Sequence, residues 1–325
     1  MSEILALPPP SLRRGAADGA WLRAQYSADV SVIVVSYNTC ALLGRTLQTL
    51  FASTPAHSLE VIVVDNGSTD GSVAMVQRDY PDVRCIANRR NLGHSGGCNQ
   101  GMRLAQGNYL WLLNSDTIIL PGAVDSLVDY LAANPHVGAA GSQVLNVDGT
   151  VQGSVKSLPT PMAALFGRHS VLTRLFPNNR FSRRYLVYLD QDFTRPFAVG
   201  SVSGCALLAR REAIEAAGLM DERLFYWNDV DWCRAFWAAG YEVHCVPASR
   251  IIHDEHKGGS RTGQRQSLKS IIAFHRGAYL YYRKWHVTHP WQPNHLAAIV
   301  GLSGRALVVL TVEQLRWALR RTRTA

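Results

Sequence analysis

The sequence predicts an α/β fold with a mostly parallel central sheet and helices on both faces. Short β-branched apolar runs alternate with helical patterns from Val30 onward, and repeated units of this kind are typical of a parallel sheet. The run VIVVD, which ends at Asp65, is apolar until its last residue, as expected for a strand buried on both faces. Together the two patterns indicate a Rossmann-like arrangement.

The predicted elements alternate regularly through the first part of the chain. Strands are expected at Val30–Ser36, Glu60–Asp65, Val83–Ala87 and Tyr109–Leu113, and helices at about Cys40–Phe51, Ser72–Tyr80, Gly97–Ala105 and Ala123–Asn134. Residues 146–198 are less regular and rich in Pro, Arg and aromatic residues, which predicts a long excursion over the site. Regular structure resumes with a strand at Val202–Arg210, a helix at about Arg211–Ala217, a helix through Ala239 and a strand at Tyr241–Val246.

The composition indicates a folded, cytosolic protein. Of the 325 residues, 47% are hydrophobic and 18% are charged, so a core can be buried and disorder is excluded for most of the chain. Six cysteines occur singly, at positions 40, 85, 98, 205, 233 and 245. We expect reduced core thiols, because this spacing fits neither a zinc ribbon nor a disulfide framework. Residues 1–28 lack the apolar run of a secretory signal, so a cytoplasmic location is expected.

The net charge of +9 is unevenly distributed. Residues 1–255 hold 21 Lys and Arg against 23 Asp and Glu, whereas residues 256–325 hold 12 against Glu313 alone. A basic C-terminal segment indicates an acidic partner, either nucleic acid or an anionic membrane. The apolar stretch Leu296–Val312 contains Arg305 and is marginal for a membrane span, so an interfacial amphipathic helix is the preferred interpretation.

The first strand is followed by neither a Walker P-loop nor G-x-G-x-x-G, which disfavours kinases, P-loop ATPases and dinucleotide oxidoreductases. In open α/β sheets, ligands bind beyond the carboxyl ends of the strands. Polar residues follow three of the predicted strands there, at Ser36-Tyr37-Asn38, at Asp65-Asn66-Gly67-Ser68-Thr69-Asp70 and at Asn114-Ser115-Asp116. The sequence therefore predicts a binding site at this edge.

Carboxylates in these segments suit two kinds of contact. Asp65 can accept a hydrogen bond from a base or from a ribose hydroxyl, although an Asx-turn or a helix cap made by Asp65 or Asp70 is the alternative. Asn114-Ser115-Asp116 follows an apolar strand and can hold a divalent cation while a diphosphate completes its shell. A simple turn is the alternative there.

Three further segments carry polar groups. The loop from Asn91 to Asn99 contains Gly93 and leads into a helix, where backbone N–H groups can face a phosphate or a sugar. A tight turn is the alternative interpretation of these glycines. His94 is interpreted as a loop residue. In Asn228-Asp229-Val230-Asp231, one aspartate is expected to cap the following helix and the other to act as a general base. His253 ends a strand and suits a metal or phosphate contact, or a structural role.

In combination these segments resemble glycosyltransferase family 2, the inverting GT-A enzymes, and more closely its bacterial rhamnosyltransferase-like branch. The resemblance covers about Val30–Trp285. It rests on VSVIVVSYNTCALLGRTLQTL, VIVVDNGSTDGS, NRRNLGHSGGCNQGMRLAQGNYLWLLNSD, SGCALLARREAIEAAGLMDERLFYWNDVDWCRAFWAAGYEV and, after His253, FHRGAYLYYRK. A GT-A fold is therefore expected.

The resemblance implies a role for each site residue. The donor nucleotide would be bound by Ser36, Tyr37, Asn38, Asp65, Asn66, Gly67, Asn91, Gly93, Asn114 and Ser115. A divalent metal, Mg²⁺ or Mn²⁺, would be held by Asp116 of the family's D-x-D triplet with His253. Asp229 would be the catalytic base, and Trp227, Asn228 and Asp231 would lie on the acceptor side. Two positions depart from the family pattern: Asn114 replaces the first Asp of D-x-D, and Asn228 replaces the acidic residue before the base.

The expected reaction is an inverting transfer of L-rhamnose from dTDP-rhamnose to a hydroxyl of a glycan or polyprenyl-diphosphate-linked acceptor, in cell-surface polysaccharide synthesis. The alternatives are a UDP-sugar donor carrying galactofuranose or an N-acetylhexosamine, or a non-catalytic sugar-nucleotide-binding protein.

Three segments are expected: an N-terminal extension over 1–28, a GT-A domain over 29–290 and a basic amphipathic helical segment over 291–325. The GT-A domain would consist of a nucleotide-binding half, 29–145, and an acceptor half, 146–290. The basic segment would hold the enzyme at the inner leaflet as a peripheral membrane protein, the alternative being packing on the body or within a homodimer. Nucleic acid is not expected as a partner, because the charge is diluted by apolar residues.

Overall fold

The computed structural model describes residues 28–160, 175–176, 178–254, 261–262, 265–266 and 268–324. The predicted extension over 1–28 lies outside the described residues except for Ala28, as does part of the excursion, residues 161–174 and 177. The strands are β1 Val30–Ser36, β2 Leu59–Asp65, β3 Arg84–Ala87, β4 Tyr109–Asn114, β5 Thr117–Ile119, β6 Val137–Leu145, β7 Val155–Lys156, β8 Phe197–Ala198, β9 Ser201–Val202, β10 Ala206–Arg210, β11 Glu242–His253, β12 Arg261–Thr262 and β13 Arg265–Gln266. The helices are α1 Cys40–Ala52, α2 Ser72–Asp79, α3 Gly93–Leu104, α4 Ala123–Ala133, α5 Arg180–Tyr185, α6 Arg211–Ala217, α7 Asn228–Ala238, α8 Leu268–His286 and α9 Pro293–Thr324, and a 3₁₀ turn spans Val187–Leu189.

A mixed central sheet organises the protein, in the order β3-β2-β1-β4-β10-β6-β11-β5, with β8 on β11. The pairs β3–β2, β2–β1, β1–β4 and β6–β11 are parallel, whereas β10 is antiparallel to both of its neighbours. The predicted α/β architecture with a mostly parallel sheet is thus confirmed. The antiparallel β10 starts at the edge where β1, β2 and β4 end, so the residues before it belong to that edge.

Helices cover both faces of the sheet, as predicted. On one face, leucines of α1 and α4 pack against Val32, Val34 and Trp111. On the other face, α3, α6 and α7 contribute Met102, Ile214 and Phe236 to a second buried cluster. This double cover explains why strands such as β1 and β2 are apolar on both sides.

Three predicted elements differ from the structure by more than one residue at a boundary or by division, and the sheet strands β5 and β6 were not among the predicted elements. Helix α3 begins at Gly93 rather than near Gly97, because Gly93 adopts a positive φ of 77° that ends the loop. The strand expected at Val202–Arg210 is divided into β9 and β10. Strand β11 continues past Val246 to His253 through a register shift between Val246 and Arg250, and this extension brings His253 to the edge of the sheet.

All six cysteines are free thiols; four are buried in the core as predicted, whereas Cys40 and Cys85 are only partly buried. Burial raises the pKa of the Cys98 thiol to about 12, as expected for a thiol with an apolar environment.

The C-terminal helices α8 and α9 pack on each other. By length and composition alone, the stretch Pro293–Val312 of α9 is apolar enough to cross a membrane, and little of it is buried. This part of α9 is apolar rather than clearly basic, because Arg305 is its one Lys or Arg and the other arginines of the predicted basic segment follow it.

The contact between α3 and β1 depends on the absence of a side chain at Gly101. A Cβ there would lie 2.5 Å from Ile33 Cγ2, whereas a Cβ at Gly44 in α1 would meet Met75 Cε at an ordinary 3.6 Å. We expect Gly101→Ala to lower the free energy of unfolding by about 1–2 kcal/mol through overpacking. Gly44→Ala is the matched control and should raise it by about 0.5–1 kcal/mol, because alanine favours the helix. Urea denaturation measures both, and equal effects at the two positions would contradict this packing.

Candidate active site

The carboxyl ends of three parallel strands meet at one edge of the sheet. Ser36 is in register with Asp65, and Val35 is in register with Asn114. A chain of hydroxyls also joins β1 to the turn after β4: Ser36 Oγ lies 3.0 Å from Thr39 Oγ1, which donates to Ser115 Oγ at 3.0 Å. The predicted strand-end segments are therefore brought together.

Asp65 is 1% exposed, and its two carboxylate oxygens have different surroundings. Oδ1 accepts hydrogen bonds from the backbone N–H groups of Gly67 (3.1 Å) and Ser68 (2.8 Å), as in an Asx-turn. Oδ2 is buried and has no hydrogen-bond partner among the described residues. A buried carboxylate oxygen without a partner is costly, so this atom is suited to accept a hydrogen bond from a ligand.

The loop after β2 is held by residues at the rim. Asp70 accepts from the N–H of Ser72 at 3.1 Å and from the N–H of Cys40 at 2.7 Å. Burial raises the pKa of Asp70, but these hydrogen bonds outweigh it and the pKa is lowered. Asp70 therefore makes an Asx-turn before α2, whose N-cap residue is Gly71; the Asx-turn was one of the two structural alternatives. Asn38 accepts from Thr69 N at 2.8 Å, and Tyr37 is 46% exposed on the rim.

The glycine-bearing loop is fixed by two asparagines. Asn91 Oδ1 accepts from Gly93 N at 2.7 Å, and Asn66 Nδ2 donates to the Gly93 carbonyl at 3.0 Å. The Asn66 bond connects the end of β2 to the start of α3, so the N-terminus of α3 faces the same edge.

Asp116 and His253 lie side by side, with 3.3 Å between Asp116 Oδ1 and His253 Nε2. Their meeting follows from β5, which starts just after Asp116 and pairs Thr117 with His253. His253 Nδ1 lies 3.0 Å from Gln152 Oε1. Because an amide oxygen only accepts, His253 Nδ1 donates to Gln152, and Nε2 faces the Asp116 carboxylate, where the two atoms can share a proton or a cation. A carboxylate oxygen beside a histidine nitrogen, with the ring held by an outer partner, fits a divalent cation.

A second group of metal-ligand type occurs elsewhere, formed by His136, Glu242 and His244. It lies at the amino ends of β6 and β11, so it occupies the edge opposite Asp116 and His253. Both ring nitrogens of His244 are engaged within the protein, Nε2 with Glu242 Oε2 and Nδ1 with the Tyr130 hydroxyl, each at 2.8 Å. This group is therefore separate from the candidate active site.

Asp229 lies in the first turn of α7, beside the segment that precedes β10. Its Oδ1 accepts from Val230 N at 2.8 Å, and its Oδ2 lies 3.4 Å from Gly204 N. Burial raises the pKa of the Cys205 thiol to about 12, and the charges of Asp116 and Asp229 both raise it as well. The Cys205 carbonyl accepts from Asn114 N at 3.0 Å, so the segment before β10 connects the end of β4 to α7 and puts Asp229 at the same edge as Asp116.

Asp231 has a different environment from Asp229. It is 2% exposed, and its two oxygens accept from Lys284 Nζ at 2.7 Å and from Trp285 Nε1 at 2.6 Å. Both partners belong to α8, so this carboxylate fixes α8 to α7. The predicted side-chain cap of α7 is absent: its N-cap residue is Trp227, in a left-handed conformation and without a side-chain cap bond.

Trp227 and Asn228 connect α7 to two other elements. The Trp227 ring packs against Phe274 and Tyr281 of α8, with 5.5 Å between ring centroids in each pair. Asn228 Nδ2 lies 3.1 Å from His94 Nδ1 at the start of α3.

Three residues at this edge escaped the sequence analysis. His94 is a site residue rather than a simple loop residue; burial lowers its pKa, whereas Asp229, Asn114 and Asp116 raise it. Gln152 holds His253, and Tyr185, from the excursion, has its pKa raised to about 12 by burial and further by the charge of Asp229. None of the three carries a local sequence signal for this place: the nearest partner of His94, Asn228, is 134 residues away, and Gln152 and Tyr185 lie in an irregular segment.

Comparison with known proteins gives consistent matches. The family model described as Glycosyl transferase family 2 matches residues 31–218. The N-acetylglucosaminyl-diphospho-decaprenol L-rhamnosyltransferase of Mycobacterium tuberculosis is 32% identical over 262 residues, which cover 77% of this chain and 82% of that protein.

Two solved structures share the fold. GalNAc-T7 with UDP, GalNAc and Mn²⁺ has a TM-score of 0.56 and 18% identity, over 79% of this chain and 48% of that one. The mannosyltransferase PcManGT from Pyrobaculum calidifontis, in complex with GDP-Man and Mn²⁺, has a TM-score of 0.54 and 20% identity, over 93% and 84%. The expected GT-A fold is therefore confirmed.

The different environments of Asp231 and Asp229 predict different effects on stability. We expect Asp231→Asn to lower the free energy of unfolding by about 1.5–3 kcal/mol, because it places an amide beside the Lys284 ammonium and removes a charge-assisted hydrogen bond. Asp229→Asn is the matched control and should change it by less than about 0.5 kcal/mol. Chemical denaturation of both variants decides the matter, and the reverse order would contradict a structural role for Asp231.

Proposed function

The chain belongs to glycosyltransferase family 2 and is a glycosyltransferase, and from this premise we propose that it transfers L-rhamnose from dTDP-rhamnose to a polyprenyl-diphosphate-linked sugar in cell-wall polysaccharide synthesis. The name of the Mycobacterium tuberculosis relative supports the transferred sugar, L-rhamnose, and a polyprenyl-diphosphate-linked acceptor. The observation that carries the mechanism is the position of two carboxylates, Asp116 and Asp229, at one edge of the sheet, where Gly204 N lies 3.4 Å from Asp229 Oδ2 and the Cys205 carbonyl accepts from Asn114 N at 3.0 Å.

The donor nucleotide is proposed to lie over the ends of β1, β2 and β4. The unpartnered Oδ2 of Asp65 accepts a hydrogen bond from the base or the ribose, and the exposed ring of Tyr37 offers a stacking surface at the rim. The N-terminus of α3, which begins at Gly93, lies at this edge, and the positive end of the helix dipole favours a diphosphate there.

Asp116 and His253, whose Oδ1 and Nε2 atoms lie 3.3 Å apart, would hold a divalent cation, which would supply positive charge to offset the departing diphosphate. The protein's part is to hold these two ligands. Gln152 fixes the tautomer of His253, and the hydrogen bond from Asp254 N to Asp116 O, at 3.3 Å, ties the two segments together.

Asp229 is the proposed general base. Its carboxylate removes the proton from the acceptor hydroxyl as that oxygen attacks the anomeric carbon, and the bond to the diphosphate breaks on the opposite side of the sugar. The N–H groups of Val230 and Gly204 orient the carboxylate. A single displacement inverts the configuration and requires no nucleophile on the protein. The base and the cation site then lie on opposite sides of the transferred sugar.

The apolar face of α9 is the proposed membrane contact. One side of the helix packs on α8, and the other side exposes Leu296, Val300, Leu307 and Val308, of which Val300 is 72% exposed. A polyprenyl acceptor is embedded in a membrane, so contact there brings the site to its substrate. Arginines at 316, 320, 321 and 323 follow the apolar stretch. A helix that lies in the membrane interface keeps these arginines on the cytoplasmic side, whereas a helix that spans the membrane would carry them to the other side.

The proposed donor is tested by measuring nucleoside diphosphate release from dTDP-rhamnose and several UDP-sugars with Mg²⁺ or Mn²⁺. We expect selective, metal-dependent release from dTDP-rhamnose in the presence of a polyprenyl-diphosphate-GlcNAc acceptor. Asp229→Asn should lower the transfer rate about 10²- to 10⁴-fold, because the general base is lost. Asp129→Asn, at an exposed carboxylate on α4, is the control and should retain the wild-type rate. Faster turnover of a UDP-sugar would show that dTDP-rhamnose is not the preferred donor. Unchanged activity of Asp229→Asn would show that Asp229 is not the general base.

The membrane contact is tested by sedimentation with anionic liposomes. We expect Val300→Glu/Leu307→Glu to lower the bound fraction at least about fivefold, because two charges would enter the apolar region of the interface. Ala74→Glu/Gln77→Glu, on the exposed side of α2, adds the same charge elsewhere and should change binding little. Equal binding of the two double variants would refute the role of α9.

A further inference from the structure

Three side chains with metal-binding atoms meet at the amino ends of β6 and β11. One ring nitrogen each of His136 and His244 and a carboxylate oxygen of Glu242 all lie within 4.8 Å of one another. In the part of the chain that the structure describes, no other three His, Cys, Asp or Glu side chains bring such atoms so close together. This group, here called the His–Glu–His triad, has no part in the proposed transfer reaction.

The sheet holds the three residues of the triad together through the main chain. Glu242 and His244 are two residues apart on β11, so their side chains lie on the same face of the strand. The Glu242 N–H donates to the His136 carbonyl at 2.9 Å, and Glu242 is in register with Val137, the first residue of β6. The residue that precedes β6 is therefore fixed beside the start of β11.

The imidazole of His244 is oriented from both sides. His244 is 8% exposed, and its Nε2 lies 2.8 Å from Glu242 Oε2. Its Nδ1 lies 2.8 Å from the hydroxyl of Tyr130 on α4. In metal sites, a histidine ligand is commonly held in this way by an outer partner on its second ring nitrogen. Nε2 is thus the ligand atom, and Tyr130 is the outer partner.

The triad is open to solvent on its other side, so an ion can enter. The Glu242 side chain is 41% exposed, and His136 is exposed. The rings of His136 and His244 are nearly perpendicular, at 77°, with 6.1 Å between their centroids. In a tetrahedral zinc site the ligand atoms lie about 3.3 Å apart, because each is about 2.0–2.2 Å from the metal. A small rotation of the exposed His136 side chain would close the triad around an ion.

The ligand set selects the metal. Two imidazoles and one carboxylate are typical zinc ligands, and three protein ligands leave a fourth position for water. Imidazole favours Zn²⁺ over Mg²⁺ and Mn²⁺, which prefer oxygen ligands. The alternative is a plain ion pair between Glu242 and His244, which would need no third residue.

We propose that His136, Glu242 and His244 bind one Zn²⁺, which joins the start of β11 to the residue before β6 and, through Tyr130, to α4. The site lies at the edge of the sheet opposite the proposed active site, and it does not depend on the proposed function. An ion that binds only the folded chain stabilises it, so the expected role is structural.

Zinc titration of the untagged full-length protein, freed of metal with a chelator, tests the site by calorimetry. We expect saturable binding of one Zn²⁺, weakened at least about tenfold in His136→Ala and in Glu242→Gln, and about tenfold in Tyr130→Phe. His57→Ala is the matched control, because His57 Nε2 also lies 2.8 Å from a carboxylate, Asp129 Oδ1, but lies outside the triad. It should keep the affinity within about twofold.

The melting temperature gives a second readout that involves no activity. Saturating Zn²⁺ should raise the melting temperature of the wild type by at least about 3 °C. His136→Ala should lose this rise. Because His136 is exposed, the same variant should keep the metal-free melting temperature within about 1 °C of the wild type.

Asp116→Asn separates this site from the proposed catalytic cation and should keep the zinc affinity of the wild type. Loss of zinc binding in Asp116→Asn but not in His136→Ala would place the ion at the opposite edge and overturn the proposal. Equal weakening in His57→Ala and His136→Ala, or no saturable binding by the wild type, would overturn it as well. A failure to transfer any sugar would remove the proposed function and leave the zinc site standing.

Discussion

The register of β1 with β2 and β4 is the constraint on which the site depends. It aligns Ser36 with Asp65, and it sets Asn114 beside Val35, so three polar strand ends share one edge although they are far apart in sequence. A shift of one residue in either pairing would turn these side chains to the other face and bury polar groups in the core. The apolar cover on both faces makes such a shift costly, so the helices that stabilise the sheet also fix the site.

The antiparallel β10 completes the edge from the other direction. Because it starts where its neighbours end, Gly204 and Cys205 lie beside the ends of β4 and α7. The C-terminal part of the chain thereby contributes Asp229 to an edge that β1, β2 and β4 form. Asp231, two residues later, anchors α7 to α8 through Lys284 and Trp285. One short segment therefore combines a chemical role with a structural one.

Much of the fold and part of the site could be predicted from the sequence, because strands, helices and strand-end polar groups are local patterns. Asp65, Asp116 and His253 were found in this way. The separate roles of Asp229 and Asp231 were not predictable, because they depend on α8, more than fifty residues further along the chain. His94 and Gln152 were missed for the same reason: each gains its significance only when the sheet brings His253 and Asn228 to it. The aspartate side-chain cap expected for α7 is absent, because the N-cap residue is Trp227, which adopts a left-handed conformation that ends the preceding segment.

The central claim is that a single edge of the sheet holds both the cation and the base. The most direct measurement is the anomalous signal of Mn²⁺ in crystals grown with dTDP. The account predicts a manganese peak between Asp116 and His253, on the same edge as Asp229. A peak found instead only at His136, Glu242 and His244, at the opposite edge, would contradict it.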